Sequence, residues 1–228
     1  MSAPIRFDWR GELLEFRADG SLYLPAHHTL IISDLHFEKA ASQISAVPLP
    51  AYDTPDTLLR VEQAITSTGA ARCIFLGDSF HNNEVAWRLP AEPLSRLHEL
   101  AQKCELHWVE GNHDPDLPHH IPGHHCQELL IGSLEFRHMP IDNHQADFEF
   151  IGHYHPKARV KLRARRLSGK CFVCNDHRLI MPAFGTFTGG LNILDPIVKA
   201  ILPNPQHVFF CHQTKIYHLP FFSSKFDR

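Results

Sequence analysis

Three apolar runs in this chain each end in an acidic or amide residue with a histidine close by. LIIS runs into Asp34 and His36, CIFLG into Asp78 with His81 nearby, and LHWVEG into Asn112, His113 and Asp114. Two later runs end in His138 and in Gly152-His153-Tyr154-His155. Carboxylate and amide oxygens suit hard divalent cations, and imidazole adds affinity for the transition series. Asp34 and His36 lie two apart, as do His153 and His155, so an extended backbone is expected to send each pair to one side. Gly77 and Gly111 allow tight turns and close approach to a ligand. Turn and capping chemistry also places Asp and Asn after strands, but it does not account for the same pairing recurring along the chain. His124, His125 and His144 compete with His138 for its role, and His81 fits a substrate-side position or a solvated loop.

The elements that must position these residues follow from periodicity. A hairpin is expected over 13–16 and 22–25 with a turn at Ala18-Asp19-Gly20, then a strand over 29–33. Apolar residues at helical spacing predict helices over 53–68 and 91–103. Further strands are predicted at 72–76, 105–109, 126–131, 133–137, 147–151, 157–165, 171–174, 178–181, 206–211 and 214–218. Helices come early and strands late, which implies a layered α/β domain with two packed sheets. No repeat or linker divides residues 1–228, so one domain is expected.

Taken in order, D-x-H, G-D, G-N-H-D, a lone His and G-H-x-H resemble the motifs of the calcineurin-like metallophosphoesterase superfamily. They run from residue 34 to 155. The finer strings SDLHFEK, LGDSFHN, EGNHDP, FRHMP, GHYHPKARV and PAFGTFTGGLN resemble the branch called ligase-associated DNA damage response endonucleases (PdeM). The resemblance implies a four-layer α/β/β/α sandwich of two mixed sheets flanked by helices. It also implies that Asp34, His36 and His155 hold one metal and Asn112, His138 and His153 a second. Asp78 would bridge the two, about 3.5–4 Å apart as in two-metal hydrolases. His113 would act beside them on the leaving group, oriented by Asp114, while hydroxide held between the ions attacks phosphorus. Mixed nitrogen and oxygen donors suit Mn²⁺ first, then Fe or Zn²⁺, better than Mg²⁺ or Ca²⁺. The branch further implies DNA, a DNA ligase and a DEAD/DEAH-type helicase as partners.

Net charge is −3 over 228 residues, yet Lys157 to Lys170 holds seven basic residues and no acidic one. The other 15 basic residues face 25 acidic ones. Lys157, Arg159, Lys161, Arg163 and Arg165 alternate with apolar residues, and Arg166 follows. This is a cationic strand face that either tracks a polyanion or guards a sheet edge against pairing. Its start, two residues after His155, is expected at the rim of the metal site, with Thr186, Thr188, Gly189 and Gly190 in a loop close by. Cys171 and Cys174 fall on opposite faces of a strand, which argues against shared chelation. The chain has no signal-like start and no apolar stretch near 18 residues, so a cytoplasmic, membrane-free protein is expected. A DNA-directed endonuclease or phosphodiesterase is the leading expectation. A small-molecule phosphodiesterase acting on cyclic nucleotides or nucleotide diesters, and a weakly active interaction subunit of a ligase/helicase complex, are the alternatives.

Overall fold

A computed structural model of the chain describes residues 2–37, 53–141, 147–162, 165–185, 188–221 and 225–227. Arg163, Thr186, His144 and the last two residues of SDLHFEK lie outside these. The first sheet runs in the order β1 (Ile5–Trp9), β2 (Glu12–Phe16), β3 (Leu22–Leu24), β4 (Thr29–Ile32), β5 (Arg72–Leu76), β6 (Glu105–Val109) and β7 (His124–Cys126). It is antiparallel from β1 to β4 and parallel from β4 to β7. Strands β4, β5 and β6 are almost wholly buried, as parallel strands covered on both faces must be.

Helices α1 (Asp53–Thr68), α2 (Asn83–Trp87) and α3 (Ala91–Ala101) pack with this sheet. Leu58, Val61, Ala64 and Ile65 of α1 and Leu97 and Leu100 of α3 meet Leu30, Ile32, Phe75 and Trp108 in one core cluster. These spacings put one apolar stripe of each helix against the sheet.

The second sheet holds β8 (Leu129–Ile131), β9 (Leu134–Phe136), β10 (Phe148–Ile151), β12 (Arg165–Cys174), β13 (Arg178–Ile180), β14 (His207–His212) and β15 (Lys215–Pro220). Strands β11 (Lys157–Leu162) and β16 (Phe226–Asp227) extend it beside β12. It too is mixed: β10 runs parallel to β9 and β13, while β12 is antiparallel to β11, β13 and β14. Aromatic residues fill the space between the sheets, where Phe16 stacks on Phe209 at 3.5 Å and 7°. The far face of the second sheet is covered by helix α4 (Pro196–Ile201) through Val198, joined by Ile193 and Leu202. Three cores therefore separate four layers, the α/β/β/α arrangement, with a thin last layer. Cys174 sits in the inter-sheet core and Cys171 in the outer one, opposite faces as expected.

The hairpin expected over 13–16 and 22–25 forms between β2 and β3, and a further one, β1–β2, precedes it. The β1–β2 turn, Arg10-Gly11, has both residues at positive φ (55° and 98°), a primed turn without the usual Asn or Asp signal. Two expectations are corrected. The single strand expected over 126–131 is two strands in different sheets, because the chain crosses between sheets at Gln127 and Glu128. The basic strand ends at Leu162, and Arg165 and Arg166 belong to the returning strand, where they pair with Leu162 and Lys161.

Candidate metal centre

Five strand ends converge. Asp34 and His36 follow β4, Asp78 follows β5, Asn112 and His113 follow β6, His138 follows β9, and His153 and His155 follow β10. The strands within each group, β4–β5–β6 and β9–β10, are parallel neighbours, so their C-terminal loops meet at one edge, where ligands gather in such sheets. The loops are stitched together: the His36 N–H donates to the Asp78 carbonyl at 3.0 Å, and the Gly152 N–H to the His138 carbonyl at 3.1 Å.

Asp34 Oδ1 lies 2.9 Å from His155 Nε2, and the Nε2 atoms of His36 and His155 are 3.4 Å apart. Asp78 Oδ2 is 3.3 Å from His138 Nε2 and 3.9 Å from His36 Nε2. Asn112 Oδ1 is 3.0 Å from His138 Nε2, and the rings of His138 and His153 stand 5.1 Å apart. The ligand atoms form two groups, Asp34-His36-His155 and Asp78-His138-His153, each within 4.8 Å. The Nδ1 atom of His138 faces the Leu76 carbonyl at 3.0 Å. That contact requires an N–H there and turns the Nε2 lone pair toward Asp78 and Asn112, as ligand histidines need.

The backbone here is held in an uncommon form. Of nine non-glycine residues with positive φ among those described, five are Asp34, His36, Asp78, His153 and His155, at 44–67°. Such conformations are costly and persist where surrounding structure enforces them, often at functional sites. The expected extended backbone at Asp34/His36 and His153/His155 is thereby corrected: left-handed turns aim these side chains inward, and the two histidines enter different groups. Close approach requires glycine at two points. A Cβ on Gly77 would stand 2.3 Å from His138 Nδ1, and one on Gly111 would stand 2.1 Å from the Asp78 backbone nitrogen.

Burial by itself would raise both buried carboxyls, yet neighbouring groups outweigh it. The hydrogen bond and charge of His138 hold Asp78 well below the usual carboxylate range, and His155 with His138 lowers Asp34. Burial works against the His138 cation, but Asp78 and Asp34 push its pKa up. Two ionised carboxylates amid imidazoles and one amide, on loops with glycine at the tightest contacts, fit a pair of divalent cations.

No protein-family model matches the chain, and neither does any curated protein. Among solved structures, the nuclease MPE of Pseudomonas putida superposes with a TM-score of 0.74 at 25% identity, covering 95% of this chain and 100% of that one. YfcE, a phosphoesterase from E. coli, aligns over 84% of this chain and 98% of its own at 20% identity, with a TM-score of 0.43. The chain has the fold of the calcineurin-like metallophosphoesterases.

The paired ligand groups suit metal-dependent hydrolysis of a phosphate ester. His113 stands beside the centre. Its N–H donates to Asp78 Oδ1 at 2.9 Å, and its Nε2 lies 3.9 Å from Asp78 Oδ2. Its Nδ1 is 3.0 Å from the His81 carbonyl, so Nδ1 carries the hydrogen and Nε2 faces the centre. The His81 ring stacks near that of His113, 5.7 Å between centroids, which puts His81 at the site's edge. Asp114 corrects an expectation. It is fully buried, and its carboxylate accepts the N–H groups of Phe80 at 2.9 Å and Gly111 at 3.1 Å. Burial, then the charge of Asp78, pushes it up to about 7. Asp114 clasps the β5 and β6 loops together; the partner that fixes the His113 ring is the His81 carbonyl.

The basic face survives in shortened form. Ala158 and Val160 are buried while Arg159 and Lys161 are exposed. Lys157 shares a cavity with His155, and Arg159 and Arg166 line a second cavity with Ser168, which borders both. Arg166 is tied to Asp227 at 3.1 Å, and Arg165 is exposed on the return strand. Arg60 and Lys170 also line the first cavity. Sequence reasoning left both unassigned, since nothing in a helix over 53–68 marks Arg60 as facing this site. A third group, Glu105-His107-His124, lies along β6 and β7, away from their C-terminal loops. No helix among the described residues is long and apolar enough to cross a membrane.

Proposed function

We propose that this protein is a dinuclear-metal phosphodiesterase that cleaves DNA, with Mn²⁺ as its preferred ion. One observation carries the reading: the buried Asp78 Oδ2 faces the Nε2 atoms of His138, His36 and His113 at 3.3, 3.9 and 3.9 Å. A single carboxylate thus stands between both ligand groups and the histidine beside them. Asp34, His36 and His155 would hold one ion, and Asn112, His138 and His153 the other, with Asp78 shared. When bound, such ions supply Lewis acidity toward the phosphoryl oxygens and a nucleophile at neutral pH. His113, fixed through the His81 carbonyl, presents Nε2 to the departing oxygen and in its protonated form gives it a proton. Its side chain is 42% exposed, so it regains that proton from solvent.

DNA as substrate is supported by the basic residues leading away from His155 and by the likeness to a nuclease from Pseudomonas putida. Action in a cytoplasmic repair pathway beside a DNA ligase and a DEAD/DEAH-type helicase belongs to the same proposal. A small-diester phosphodiesterase is the second reading, favoured by the half-open cavity of about 420 Å³ next to His155. Manganese-dependent hydrolysis of bis-p-nitrophenyl phosphate, single-stranded DNA and double-stranded DNA tests both. Salt-sensitive cleavage of DNA supports the first, hydrolysis of small diesters alone supports the second, and no hydrolysis of any of the three overturns both in favour of an interaction subunit.

A further inference from the structure

The cavity beside His155 is walled by groups that the hydrolytic centre does not use. Arg60 enters from α1, Lys157 from β11 and Lys170 from β12, and no acidic residue lines it. Lys170 Nζ donates to the carbonyls of Asp19 at 2.6 Å and Ala183 at 3.3 Å. Lys157 Nζ donates to the Thr188 carbonyl at 3.1 Å. An ammonium has three donors, so one on Lys170 and two on Lys157 remain for a ligand. Neither lysine has a carboxylate within ion-pair distance among the described residues. Arg60 is held in place by stacking over the Phe184 ring at 4.3 Å and by a hydrogen bond to the Asp19 carbonyl. Three cations around one recess repel each other, and holding the two lysines there with no carboxylate in contact is costly. Asp56 and Asp19 act on Arg60, but neither lines the recess. Burial first, then Arg60, lowers Lys170 to about 8. An anion in the recess would relieve both costs.

His155 joins this recess to the metal centre, and Ser168 joins it to the outer cavity bearing Arg159 and Arg166. A strand whose scissile phosphate sits at the metals would therefore pass its next phosphate along this path. We propose that Arg60, Lys157 and Lys170 form a subsite for a second phosphate group of the substrate, distinct from the one being cleaved. The subsite rests on the nucleic-acid reading above. Its ligand is either an internucleotide phosphate or a terminal phosphate monoester.

The test measures binding of fluorescent oligothymidylate to the full chain in excess chelator, so that it does not depend on cleavage. Arg60→Gln and Lys170→Gln should each weaken binding about tenfold, the loss expected for one charge-assisted hydrogen bond. Each should also lower the slope of affinity against salt by about 0.7. Lys215→Gln, exposed on β15 outside both cavities, serves as the surface-charge control and should change neither. Arg60→Gln removes no contact of Lys170, so it reads the subsite even if Lys170→Gln fails to fold. Equal loss on 5′-hydroxyl and 5′-phosphate strands assigns the subsite to an internucleotide phosphate. Loss confined to phosphorylated strands assigns it to a strand end. Binding by Arg60→Gln within twofold of the parent on both strands overturns the proposal. If the parent binds oligonucleotide through these residues yet hydrolyses none of the diesters, the catalytic reading fails and the subsite stands.

Discussion

Replacing Gly111 by alanine probes the contact between the β5 and β6 loops. The added Cβ would stand 2.1 Å from the Asp78 backbone nitrogen, 2.3 Å from its Oδ1 and 2.6 Å from Asp114 Oδ1. Real Cβ contacts stay beyond about 3.0 Å, so the loops must part by roughly 1 Å. Backbone on one side and two buried carboxylates on the other leave no flexible end to yield. Overpacking of this kind costs about 1–3 kcal/mol, and misplacing a catalytic group by about 1 Å costs about 10²-fold in rate. We expect Gly111→Ala to melt earlier, to bind manganese more weakly and to lose about 10²-fold in hydrolysis of bis-p-nitrophenyl phosphate at saturating metal. Gly132→Ala is the control. Its φ is +60° but nothing lies within 4 Å of the added Cβ, so it should cost about 1–2 kcal/mol of stability with the rate intact. A Gly111→Ala protein with parental rate and metal affinity would refute the idea that these loops set the position of Asp78.

His113→Ala should reduce turnover by about 10²–10⁴-fold, the usual contribution of a general acid, while metal content by elemental analysis stays at the parental level. Asp114→Asn should destabilise the protein by about 1.5–3 kcal/mol, because an amide cannot accept the Phe80 and Gly111 N–H groups with both ends; denaturant unfolding measures it. The Lys170 pKa gives a pH dependence. Lys170 lies against Arg60, Lys157, Asp19 and Cys211, and its pKa of about 8 sits below the ordinary 10.5. It is charged below that value and neutral above, so oligonucleotide affinity should fall as pH rises through about 8. Lys170→Arg, which keeps its charge, should flatten that fall in a fluorescence titration.

The metal ligands were legible because each follows an apolar run directly, and a strand end leaves its next residues at the sheet's edge. The way they reach inward was not. Asp34, His36, His153 and His155 adopt left-handed backbone, which is enforced by pairing between loops far apart in sequence, such as His36 with Asp78. Asp114 misled for a related reason. Its place after His113 suggests a catalytic pair, but whether a carboxylate meets a ring or two backbone amides depends on how deeply the loop is buried. Arg60 carried no signal, since a helix seen alone does not reveal which cavity its polar side borders. Strand β1 was missed because Arg6 and Asp8 break its apolar run on the exposed side. Arg165 and Arg166 kept the basic alternation going across a turn, so period two alone could not show where β11 stops.

Two cations sharing Asp78 are what the proposed chemistry requires. Anomalous scattering at the manganese edge, from crystals grown with Mn²⁺, tests this directly. Two peaks about 3.5–4 Å apart on either side of the Asp78 carboxylate are the expected result. A single peak at the centre, or peaks only at Glu105-His107-His124, would contradict it.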